Sequence, residues 1–161
     1  MNPLLRASGF AAAAGGVLRV VDAFTTEVLS QGTLAALYLL TDAFLLAGVA
    51  GLWWTRRASL GVTGAVGLAI FVLGILMVRA SALGIGAYQL GAAVALVGLA
   101  IYSLETLVTR RASAWAPTAW LGSLAAGLAA TAGYQPAAMT ALAGVAFGAG
   151  FVVAGMEVLR S

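Results

Sequence analysis

The chain has 161 residues, 63% of them apolar and only 8% charged, and its eight basic residues, all arginine, outnumber the five acids for a formal charge of +3. With a mean hydropathy of +1.06 it lies far from soluble domains, in which about 25% of residues are charged, and its scattered arginines lack the clustered basic face that nucleic-acid binding needs. Cysteine and histidine are both absent, which removes disulfides, thiol chemistry, histidine general bases and nearly all zinc, copper and haem ligation.

The expected fold is all-α: a polytopic integral membrane protein, one compact domain over 1–161, with six transmembrane helices. Apolar stretches of about 20 residues, enough to cross a hydrocarbon core, fall at 4–24, 33–54, 60–79, 84–108, 114–133 and 137–158. The first follows a short basic start and a run of small residues, features that a secretory signal shares; we read it as a retained span. Arg19 and Asp22 in its last third and Gly15-Gly16 weaken it. If it lay along the interface there would be five spans, but the charge distribution described below favours six.

The second span carries Asp42, nine residues after Thr33 and therefore about 14 Å along the helix, near the middle of a core about 30 Å thick. A central aspartate costs about 2.5–3.5 kcal/mol on insertion, so it is expected to face the interior with partners. Tyr38 stands at i−4 on the same face. Arg19, on the neighbouring antiparallel span, either reaches Asp42 or turns to Asp22 at i+3. Trp53 and Trp54 close the span at the headgroups.

The loop that follows reads TRRAS, and the same five residues recur after the fourth span, carrying Arg56 and Arg57, then Arg110 and Arg111. The copies are 109 − 55 = 54 residues apart, two spans, so both lie on one face. Identity stops at the pentapeptide, and we read a repeated physical circumstance, not a duplicated unit. Arg6 and Arg160 join them there. The positive-inside rule makes this face cytoplasmic, with both termini on it.

The third span has Gly64, Gly67 and Gly74 on one side and ends at Arg79, placed at the opposite headgroups with Asp22 and Glu27. The fourth has the clearest stripe: Gly84, Tyr88, Gly91, Ala95, Gly98, Tyr102 and Glu105 at alternating four- and three-residue steps, all on one face. The fifth, opened by Trp115 and Pro117 and closed by Tyr134, has Gly122, Ala126, Ala129 and Gly133. The sixth, after Pro136, has Gly144 and Gly148 on one side and Ala146, Gly150 and Ala154 on another, leading to Glu157. Such residues let helices approach closely in lipid. They serve either as seams of one bundle or, where a seam on the fourth or sixth helix is surplus, for a homo-oligomer or a membrane protein partner. Glu157 has Arg160 at i+3, and Glu105 and Glu157 can also meet the arginine loops.

Two functional readings follow. In the first, the chain is a non-catalytic accessory or assembly subunit of a prokaryotic cytoplasmic membrane, contacting lipid and itself or a partner through its glycine seams. In the second, it is a small transporter or channel-like protein whose outward cavity reaches Asp42, with Tyr88 and Gln89 as co-liners. No phosphate loop, activated nucleophile or metal-ligand cluster is present in the sequence, so neither an enzymatic activity nor a cofactor is expected.

Overall fold

The computed structural model describes residues 2–25, 30–82, 84–85, 88–110 and 113–161. Within them the chain forms six helices and no strand: α1 (Pro3–Thr25), α2 (Gln31–Arg56), α3 (Val62–Ala82), α4 (Tyr88–Thr109), α5 (Trp115–Thr131) and α6 (Pro136–Arg160). Glu27 and Arg111 lie outside the described residues. Five of the helices are long and apolar enough to cross a membrane. The exception is α5, whose 17 residues span about 25 Å.

Most boundaries fall within three residues of the expected ones, and two of the shifts share one reason. The fourth helix begins at Tyr88 instead of 84, and the fifth ends at Thr131 instead of 133. Gly84 and Gly133 both have positive φ, +79° and +85°. Each closes the preceding helix as its left-handed residue: Ile85 N–H donates to Ala80 O at 3.0 Å and Gly84 N–H to Ser81 O at 3.0 Å, and Tyr134 N–H donates to Ala129 O at 3.0 Å and Gly133 N–H to Ala130 O at 3.1 Å. These paired bonds satisfy carbonyls that the helix end would leave orphaned. Gly84 is therefore the stop signal of α3, not the first member of the α4 stripe.

Glycine brings the helices together. On α1 and α6, Gly9 meets Gly155 and Leu159, Gly16 meets Gly148 and Val152, and Ala23 meets Gly144, a register that runs in opposite directions along the two helices. A Cβ on Gly48 of α2 would stand 2.6 Å from Ala12 Cβ, and Gly15 faces Leu45. Between α3 and α4, a Cβ on Gly67 would meet Tyr102 N at 2.7 Å and one on Gly91 would meet Val78 N at 2.6 Å, while Gly98 sits against Phe71 and Gly74 against Ala95. Backbone-to-backbone contact of this kind supplies dispersion where lipid offers no hydrophobic drive. Every such pair is antiparallel, so both termini lie at one end of the bundle, together with the loops of Arg56, Arg57 and Arg110.

Large side chains fill the centre. Phe71 of α3, Trp120 of α5 and Phe147 and Phe151 of α6 form a cluster with ring centroids 5.1–6.2 Å apart, extended by Tyr102 of α4 at 5.9 Å from Trp120. Gly150 makes room for the Trp120 ring: a Cβ there would come within 2.6 Å of Cδ1. Ser123 donates to Ala143 O at 2.8 Å, tying α5 to α6. Leu, Val and Phe side chains cover the outside, with Val62 82% and Val108 81% exposed, as a surface solvated by lipid requires.

Candidate functional site

Polar side chains gather in two layers separated by the aromatic cluster. The first lies at the end opposite the arginine loops and draws on α1, α2 and α3. Asp42 accepts from Arg79 Nε–H, joining α2 to α3, and Asp22 accepts from Arg19 within α1. Both pairs are partly or largely dry: the Asp42 and Asp22 side chains are 13% and 3% exposed.

Of the two partners expected for Arg19, it takes the i+3 neighbour Asp22 and not Asp42. Arg79, expected to end at the headgroups, instead reaches inward to Asp42. The reason is register. Asp42 stands 14 residues before the end of α2 at Arg56, and Arg79 stands 17 residues after the start of α3 at Val62. Their heights above the shared loop differ by only about 5 Å, one helical turn, which an arginine side chain spans.

Tyr38 lies near Asp22 and Arg19, and Asp42 near Arg19 and Asp22 as well as Arg79, so the two ion pairs share one layer. Among the described residues, two buried acceptors in it lack a hydrogen-bond partner: Asp22 Oδ1 and the hydroxyl of Thr41, the residue beside Asp42. Tyr88 and Gln89 are exposed at the first turn of α4, at the rim of this layer instead of its interior.

The second layer lies toward the arginine loops. Arg56 donates from Nη1 to the Tyr102 hydroxyl Oη at 2.7 Å and from Nη2 to Glu157 Oε2, so one guanidinium ties α2 to α4 and α6. Glu105 accepts the N–H of Gly61 at 2.6 Å, holding the entry to α3. Among the described residues, Glu105 Oε2 and Glu157 Oε1 are buried without hydrogen-bond partners. Arg57 stacks over Trp54, Cζ 4.1 Å from the ring centroid, an interfacial cation–π contact. Arg110 ends α4 with φ of +50°.

The small residues singled out in the sequence are distributed unevenly. Gly91, Ala95 and Gly98 pack on α3, Gly144 and Gly148 on α1, and Gly150 on Trp120 of α5. On α5, Ala126 is buried but Gly122 has no atom within 4 Å of where a Cβ would stand.

The boundary of α2 with α3 is built differently from the glycine seams. Helices α2 and α3 approach closely over only a few residues, in contrast to the long glycine contacts of α1 with α6 and α3 with α4. Polar side chains span the gap between α2 and the α3–α4 hairpin near both ends, Asp42–Arg79 at one and Arg56–Tyr102 at the other. Comparison with protein-family models, with curated proteins and with solved structures finds no match to this chain.

Proposed function

We propose that the protein is a six-span transporter of a cytoplasmic membrane, with both termini on the cytoplasmic side, that passes a small polar solute by parting the α3–α4 hairpin from α2. The observation that carries this reading is the character of that boundary. Seams made of backbone against backbone are fixed by shape, whereas a boundary held by two charge-assisted contacts opens when their partners are exchanged. Asp42–Arg79 is then the outer latch and Arg56 with Tyr102 and Glu157 the inner one, with the aromatic cluster between them excluding water.

The solute class follows from the groups near the outer latch. The oxygens of Asp22, Thr41 and Asp42 accept hydrogen bonds, and two of them are unmet. They suit a cation or a solute rich in hydrogen-bond donors. The six-span topology rests on the antiparallel contacts of α5 with α6, which keep α5 across the bundle in spite of its length. The orientation rests on arginine placement: Arg6, Arg56, Arg57, Arg110 and Arg160 are at one end, against Arg19 and Arg79 toward the other.

A second reading, an accessory subunit that binds a partner helix, is favoured by α5, where Thr118, Gly122 and Ala125 are exposed along one face. The seams of α4 and α6 are occupied within the chain and leave this face as the open one. Labelling separates the two readings. Thr41→Cys keeps both charges of the outer latch, and the chain has no other thiol. A membrane-impermeant maleimide applied from outside is expected to label position 41 slowly in the otherwise native protein and faster when Arg79→Gln is added, with Ser30→Cys as the accessible control. Equal protection of position 41 in both folded proteins would refute the transport reading and leave the accessory one.

A further inference from the structure

A groove outside both polar layers opens between the first turns of α1 and the last turn of α6. It has a volume of about 450 Å³ and is lined by Arg6, Phe10, Leu159, Arg160 and Ser161. Its two guanidiniums differ in situation from those of Arg19, Arg56 and Arg79, each of which holds a carboxylate. Neither Arg6 nor Arg160 pairs with a carboxylate or stacks on a ring among the described residues, and both are exposed.

The apolar wall is placed to suit an amphiphile. Phe10 stands at i+4 from Arg6, one turn deeper along the same face of α1, and is 59% exposed. Leu159 is held against Gly9, where a Cβ would meet Leu159 Cγ at 2.8 Å, so the two helices nearly touch beneath the groove and give it a floor. The Ser161 hydroxyl is turned to Val158 O at 2.7 Å. Two free cations at the helix ends, with an exposed aromatic ring directly below on the side facing the membrane, match a phosphate joined to an acyl chain.

We propose that this groove binds an anionic phospholipid, its phosphate between Arg6 and Arg160 and its first acyl methylenes against Phe10. The site does not depend on the transport reading, because it shares no residue with either latch. The test is native mass spectrometry of the full chain in a neutral detergent, titrated with phosphatidylglycerol, with phosphatidylcholine and with glycerol phosphate. Phosphatidylglycerol is expected to bind best, and Arg6→Gln/Arg160→Gln to weaken it about twenty-five-fold, the product of about five-fold for each basic residue near a lipid surface. Arg6→Lys/Arg160→Lys is expected to keep most of the preference for phosphatidylglycerol, and Arg57→Gln, at the same end of the bundle, to keep all of it. Equal binding of the two lipids, or a preference untouched by the double glutamine variant with an unchanged melting temperature, would overturn the site. Competition by glycerol phosphate as strong as by the lipid would also overturn it, in favour of a free-phosphate site.

Discussion

Arg79 and Asp42, 37 residues apart in the chain, meet across the boundary of α2 with α3, where no described glycine makes a close contact. Asp42 lies mid-way along α2 and Arg79 in the last turn of α3, and the contact is partly dry on both sides, with side-chain exposures of 13% and 28%. Removing one member leaves the other charged in a poorly solvated place. A fully buried pair broken in this way costs about 3–5 kcal/mol, and the residual exposure lowers the expectation to about 2–3 kcal/mol for Arg79→Gln or Asp42→Asn. The double variant Asp42→Asn/Arg79→Gln is expected to lose less than the sum of the singles, by at least about 1 kcal/mol. Thermal unfolding of the four proteins in one detergent measures this, and additive losses would show that the two residues do not act as a pair.

The inner latch is expected to respond in the same way to Glu157→Gln, which weakens the hold on Arg56. Tyr102→Phe removes only the hydroxyl that accepts from Arg56 at 2.7 Å and keeps the ring against Trp120. A hydrogen bond to a charged group is worth about 1.5–3 kcal/mol, so Tyr102→Phe is expected to lower the melting temperature while leaving indole fluorescence of the Trp120 cluster nearly native. A changed fluorescence spectrum would mean that the ring itself had moved.

Glycine positions are expected to divide sharply. Gly98→Leu and Gly148→Leu drive a side chain into the backbone of α3 and α1 respectively, an overpacking that no rotamer relieves, and are expected to abolish a monodisperse elution profile. Gly122→Leu, which meets open space, is expected to leave the melting temperature within about 2 °C. If Gly122→Leu instead changes the oligomer size, α5 is an interface and the accessory reading gains its main support.

Much of this arrangement was legible from the residues and some was not. Six helices, their approximate ends and the close packing of Gly91, Ala95 and Gly98 follow from hydropathy and four- and three-residue spacing, which are local properties. Of the two partners open to Arg19, it takes Asp22 at i+3; the pairing of Asp42 with Arg79 went beyond the expectation, although their similar height above the α2–α3 loop can be counted from sequence. Gly84 fitted the spacing of the α4 stripe as well as it fits a helix stop; only the φ of +79° and the bond from Ile85 to Ala80 distinguish them. Glu157 meets an arginine of the loops as expected, in Arg56; that the Tyr102 hydroxyl shares this guanidinium requires knowing that α2, α4 and α6 converge, which no local pattern carries.

Orientation is tested with single cysteines in the cysteine-free chain. Ser30→Cys is expected to react with an impermeant maleimide added outside intact cells, and Ser113→Cys only after the cells are opened. The reverse pattern would invert the molecule and place the Asp42–Arg79 latch on the cytoplasmic side.

The central claim, that α2 and the α3–α4 hairpin are held by latches instead of by shape, is tested most directly by a distance distribution. Spin labels at Leu40→Cys on α2 and Leu76→Cys on α3, both at exposed positions, report that boundary in liposomes, and labels at Val21→Cys and Leu142→Cys report the glycine seam of α1 with α6. Adding Arg79→Gln is expected to introduce a second, longer separation between positions 40 and 76 while the α1–α6 distribution stays as it was. An unchanged distribution at both boundaries, in protein that remains folded, would mean that packing alone holds α2 to α3, and the latch account would be wrong.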